Sequence, residues 1–95
     1  MKQPAVYIVT NKFKNVFYTG VTSDLSRRQY EHENKIKKSF TSKYNCHVLI
    51  YYERHETMES AISREKKIKG MSRTKKLNLI ETLNPKRQDL LQDLI

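Results

Sequence analysis

Three short runs of β-branched and aromatic residues constrain this chain more than anything else in it: Val6–Thr10, Val16–Thr19 and Cys46–Tyr52. Such runs suit strands. Between the first two lies Asn11-Lys12-Phe13-Lys14-Asn15, a polar loop with a turn-prone asparagine at each end, which predicts a hairpin. Gly20 closes the second strand. Ser23 or Asp24 can cap a helix from about Leu25 to Lys37, followed by a basic loop from Lys38 to Asn45. Beyond the third strand, Thr57 caps a helix that runs to about Lys69 and stops at Gly70. Ser72 starts another through about Leu83, and Asn84-Pro85 reads as the cap and first residue of a short last helix. The expected fold class is α/β of the α+β type: a small three-stranded antiparallel sheet flanked by helices.

At 95 residues the chain has room for one domain, read as residues 1–95, with a small core. No apolar run approaches the roughly 18 residues of a membrane span. The stretch Ala5–Val9 behind Met1-Lys2-Gln3-Pro4 is too short for a secretory signal. A lone cysteine, Cys46, can neither close an internal disulfide nor build a zinc cage, so a reducing, cytoplasmic setting is expected. Nineteen Lys and Arg against ten Asp and Glu leave a net charge of +9. That excess points to a polyanionic partner, nucleic acid first.

Charged residues stand where apolar ones are expected. In the helix after Thr57, Met58, Ala61, Ile62 and Ile68 form one stripe, and Glu65 falls in its middle. A carboxylate turned toward the sheet costs several kcal/mol unless a cation meets it. That cation is an arginine or lysine in an ion pair, or a metal ion. In the first helix Leu25 and Ile36 mark the inner face; His32 lies on the same line and Arg28 on its shoulder, four residues away. His32 alone suits a partly buried, hydrogen-bonded histidine. Complementary polar groups on two apolar stripes say more than either does alone. Tyr7 and Tyr18 sit on successive strands, and a hairpin through the Asn11–Asn15 loop would put both phenols on one face.

Several of these residues occur in an order that resembles the GIY-YIG nuclease domain. They are Ala5-Val6-Tyr7, Tyr18-Thr19-Gly20, Asp24-Leu25-Ser26-Arg27-Arg28 with His32, Ala61 to Lys69, and Asn84-Pro85. The resemblance covers nearly the whole chain and is strongest to small stand-alone bacterial members. It implies a metal-dependent phosphodiesterase on a three-stranded antiparallel sheet. By position, Tyr7 and Tyr18 are the two motif tyrosines, Arg28 the catalytic arginine, His32 the helix histidine and Glu65 the metal-binding glutamate. Asn84 matches a polar residue near the site, and Gly20 would let the backbone pass closely beneath it. The sequence departs at Ala5, where the first motif carries glycine, and at the triplet centres Val6 and Thr19.

The implied chemistry assigns one divalent ion, Mg²⁺ or Mn²⁺, to Glu65. Arg28 would grip a non-bridging phosphate oxygen and Tyr7 would act as general base, with Tyr18 and His32 beside it. Lys37, Lys38 and Lys43, with Lys66, Lys69 and Arg73 later in the chain, are expected on the nucleic-acid backbone. Lys35, Lys67, Lys75 and Lys76 extend the same basic surface. Phe40 or Tyr44 would stack on an unpaired base. The expected activity is structure-selective or weakly sequence-specific cleavage of DNA, ahead of RNA, in repair or uptake, with a partner protein as one source of specificity. The alternative is a nucleic-acid-binding module of the same fold that cuts little or only with a partner.

Overall fold

The structure, a computed structural model, describes residues 3–25 and 48–90. Three strands, β1 (Ala5–Thr10), β2 (Phe17–Thr22) and β3 (Val48–Arg54), form one sheet in the order β2-β1-β3, and both pairings are antiparallel. Two helices follow, α1 (Met58–Lys69) and α2 (Arg73–Leu83). This is the α+β architecture that the strand runs predict. The expected first helix falls outside the described residues except at Leu25, which is helical and buried.

All six residues of β1 are buried because the strand is central and covered on both faces. On one face Val6, Ile8, Ile50 and Tyr51 pack against Ala61 and Ile68 of α1 and Ile80 of α2. On the other, Ala5, Tyr7, Val9 and Leu49 gather with Leu25, and Val16, Tyr18, Tyr52 and Leu90 pack beside them. Ile8 pairs with Tyr51 but Val9 pairs with Leu49, so Ile50 is an extra residue in β3. This bulge turns Ile50 and Tyr51 to the same face, which strict alternation forbids.

Gly20 does not close β2. It lies inside the strand, opposite Tyr7, and β2 continues through Val21 and Thr22 because both pair with β1. The caps of the helices stand where the sequence puts them. The Thr57 hydroxyl accepts from the Ser60 amide at 3.1 Å, and the Ser72 hydroxyl accepts from Lys75 at 3.2 Å. No helix starts at Pro85, where Asn84-Pro85 predicts one. Pro85 and Lys86 make a turn, Arg87 takes a left-handed φ of 51°, and the Arg87 amide donates to the Asn84 carbonyl at 3.0 Å.

Candidate active site

Register decides the first contact of the site. Tyr7 and Gly20 face each other across the β1–β2 pair. A β-carbon at position 20 would lie 2.5 Å from the Tyr7 hydroxyl oxygen and 2.6 Å from Cζ. The far end of the phenol therefore rests on the β2 backbone in space that only glycine leaves open. Two pairs further along, and so on the same face, stands Tyr18 opposite Val9. The two rings are 6.4 Å apart between centroids and tilted by 46°. Tyr7 is 2% exposed and Tyr18 is half-buried, so the pair is a packed unit with one edge toward solvent.

The acidic residue stands on α1, which packs on the opposite face of the sheet. Ala61 and Ile68 are its buried residues, while Ile62 is 39% exposed, so the apolar stripe centres on one side of where the sequence alone puts it. Glu65 sits on the flank of that stripe with only 15% of its side chain exposed. Lys69, one turn on, meets it at 3.3 Å between Nζ and Oε2. The same ammonium lies 6.0 Å from the centre of the Tyr18 ring. Tyr7, Tyr18, Lys69 and Glu65 thus form a continuous chain of contacts from the middle of the sheet to α1. The inward carboxylate does have a cation, and it is a lysine. The i, i+4 spacing of Glu65 and Lys69 is the signal that finds it.

The opposite flank of α1 carries a network that sequence reasoning missed. The Arg64 Nε donates to Glu53 at 2.9 Å, the Tyr51 hydroxyl donates to the same carboxylate at 2.6 Å, and His55 Nε2 lies 2.8 Å from it. Burial pushes the Tyr51 phenol up, and its bond to the Glu53 carboxylate adds to this, reaching about 12. Burial also pushes the Glu53 carboxyl up, but its donors Tyr51, His55 and Arg64 overcome that and hold it below the ordinary range. These contacts join β3 to α1 across residues ten or so apart in sequence, and no local pattern announces them.

The other predicted site residues divide clearly. Arg28, His32, Lys37, Lys38, Phe40, Lys43 and Tyr44 lie outside the described residues. Lys66 lines a basic groove with Arg64, Lys67 and Lys75. The Arg73 guanidinium sits 4.7 Å over the Phe17 ring, at the start of β2. Asn84 is 4% exposed, and its amide donates to the Ile50 carbonyl at 3.1 Å and the Gln88 carbonyl at 2.7 Å. Its oxygen accepts from the Gln88 amide at 3.0 Å. Those bonds tie the end of α2 to the β3 bulge and involve neither tyrosine.

Among the described residues no three carboxylate, imidazole or thiol side chains gather. Among the described residues, Glu65 is the carboxylate that would hold a metal at this site. Such a donor suits a hard cation that keeps most of its waters. The competing ammonium of Lys69 is 52% exposed on a flexible stem and is free to swing aside, so the residues fit. Among the described residues no helix is long and apolar enough to cross a membrane.

Comparison with known proteins identifies the family. The family model described as the GIY-YIG catalytic domain matches residues 3–78, from before β1 into α2. A UPF0213 protein of Staphylococcus saprophyticus is 36% identical over 80 residues, covering 84% of this chain and 96% of its own. One from Clostridium perfringens is 33% identical over 89 residues, covering 94% and 95%. The solution NMR structure of a UPF0213 protein from Bacillus halodurans is similar with a TM-score of 0.59 and 26% identity, over 92% of each chain. By the family model and these relatives, the chain belongs to the GIY-YIG nuclease family and, within it, to the small UPF0213 proteins.

Proposed function

We propose that this protein, as a single domain over residues 1–95, is a metal-dependent nuclease that hydrolyses phosphodiester bonds in DNA. It selects substrates by structure more than by sequence, and repair or uptake of DNA in the cytoplasm is the setting that suits such an activity. The observation that carries this reading is the chain of contacts Tyr7, Tyr18, Lys69, Glu65, which runs from β1 through the edge strand β2 to α1. A structural role alone gives no reason both to lay a phenol on a glycine backbone and to turn a carboxylate inward on the helix.

Tyr7 serves as general base, taking a proton from the attacking water at its hydroxyl oxygen. Its ring is clamped over Gly20, so the hydroxyl is held at one place before substrate arrives. A phenol works as a base only beside positive charge, which Lys69 and Arg28 would supply. Arg28 takes a non-bridging phosphate oxygen through its fork of donors, and His32 and Tyr18 orient the phosphate and the base. Glu65 holds one Mg²⁺ or Mn²⁺ ion. When bound, the ion supplies charge to the phosphate and the leaving oxygen. Lys66, Lys69 and Arg73 hold the backbone of the strand and carry no sequence information.

One observation favours a second reading, a binding module that cuts little: Lys69 already neutralises Glu65. The experiment that separates them uses labelled single strands, duplexes, flaps and RNA with Mg²⁺, Mn²⁺ or EDTA, beside Glu65→Ala. The nuclease reading expects cleavage that needs the ion and vanishes in the variant. Binding without cleavage on every substrate supports the second reading, and cleavage that persists in Glu65→Ala removes Glu65 from the chemistry.

A further inference from the structure

The β1–β2 hairpin carries an aromatic side chain that neither core cluster uses. Phe13 is 74% exposed at the tip of the loop, with Lys12 and Lys14 exposed on either side of it. The Lys12 ammonium lies 5.3 Å from the centre of the Phe13 ring. The loop is held in one shape. The Asn11 side-chain amide donates to Asn15 Oδ1 at 2.7 Å, and the Asn15 backbone amide donates back to Asn11 Oδ1 at 3.1 Å. The Lys14 amide closes the turn on the Asn11 carbonyl at 3.0 Å, with Lys14 at a left-handed φ of 57°. The Thr10 hydroxyl fastens the base of the loop to the Val16 carbonyl at 2.7 Å.

We infer that this tip is a stacking post for an unpaired nucleobase, with Phe13 as the platform and Lys12 and Lys14 on the flanking phosphates. The inference rests on the nucleic-acid reading above and names the substrate feature that it favours, a single-stranded segment. A rigid aromatic costs little entropy on stacking, and every base offers a π-face, so an exposed ring between two cations binds single strands regardless of sequence. A further cation stands by the tyrosines: the Lys69 ammonium lies 6.0 Å from the centre of the Tyr18 ring. The sequence-based stacking candidates Phe40 and Tyr44 lie outside the described residues, whereas Phe13 is seen to be exposed and presented.

The test measures binding in EDTA, so that cleavage plays no part, with a fluorescent 20-nucleotide DNA single strand and a blunt DNA duplex of equal length. Phe13→Ala should weaken binding of the single strand about tenfold and leave the duplex within about twofold. Phe13→Trp should restore it, and Phe13→Leu, which keeps bulk without a ring, should not. A 2-aminopurine placed in the single strand should be quenched on binding by the native protein and less so by Phe13→Ala. Equal losses on strand and duplex, rescue by Phe13→Leu, or no loss at all would overturn the proposal. Phe13 is exposed, so thermal melting of each variant should match the native protein, and a lowered melting point would assign the residue to the fold instead. Cleavage of the same single strand with Mg²⁺ is read separately. Selective binding without cleavage retains the stacking post and rejects the nuclease reading; cleavage with unchanged binding in Phe13→Ala does the reverse. A native protein that binds neither DNA rejects both.

Discussion

At position 20 a single added methyl would have to occupy space 2.5 Å from the phenol oxygen of Tyr7, a residue only 2% exposed. Either the Tyr7 ring shifts or β1 and β2 part. Gly20→Ala should therefore cost about 1–3 kcal/mol in urea unfolding. It should also lower the single-turnover cleavage rate by about 100-fold, because the hydroxyl is displaced. Glu53 is a different kind of sensitive residue. It collects the Tyr51, His55 and Arg64 side chains, so Glu53→Ala strands partly buried donors and should destabilise by about 1–3 kcal/mol. Its carboxyl is held low, so on acidification the unfolded chain takes up the proton first. The stability difference between the native protein and Glu53→Gln should be full above the ordinary value of 4.5 and shrink as pH falls below it. Tyr51 has the opposite sign. Its folded phenol stays protonated to about 12, so native stability should fall as pH rises from 10 toward that value. Urea midpoints measured across both ranges check the two signs.

Elements were legible where local chemistry sets them. The runs at Val6 and Val48 became strands because they are β-branched and apolar, and Thr57 and Ser72 became helix caps because a hydroxyl there satisfies an orphan amide. Gly20 misled because glycine has two uses. Read locally it ends a strand; in the sheet it makes room for a ring on the neighbouring strand, which only the register reveals. Asn84-Pro85 misled in the same way, since the asparagine spends its amide on Ile50 and Gln88. Asn84→Ala should thus cost about 2 kcal/mol by releasing α2 from the β3 bulge. Gly70 offers the contrary case. Its φ of −79° is open to any residue, and a β-carbon there would meet nothing nearer than the Lys67 carbonyl at 3.6 Å. Gly70→Ala should accordingly raise stability by about 0.4–1 kcal/mol, through the unfolded chain, and thermal melting will show it.

Over the whole molecule, the charge of +9 was visible from composition, but its deployment was not. Glu65 was legible as a carboxylate on an apolar stripe; that Lys69 pairs with it and also covers Tyr18 needed the packing of α1 on the sheet. Phe13 read as part of a polar loop, because exposure is a property of the folded surface. If Lys66 and Arg73 each hold a backbone phosphate, removing both as Lys66→Gln with Arg73→Gln should make the slope of log affinity against log salt shallower by about 1.5. Equilibrium binding between low and moderate salt measures this directly.

The most direct test of the whole account is the Mg²⁺-dependent single-turnover rate of Tyr7→Phe on a DNA strand that the native protein cuts, with affinity measured alongside. The variant keeps the ring over Gly20 and loses one oxygen. The account predicts a rate reduced by at least about 100-fold, within the range set by a lost general base, with affinity unchanged. An undiminished rate would contradict it and take the chemistry away from the tyrosine face.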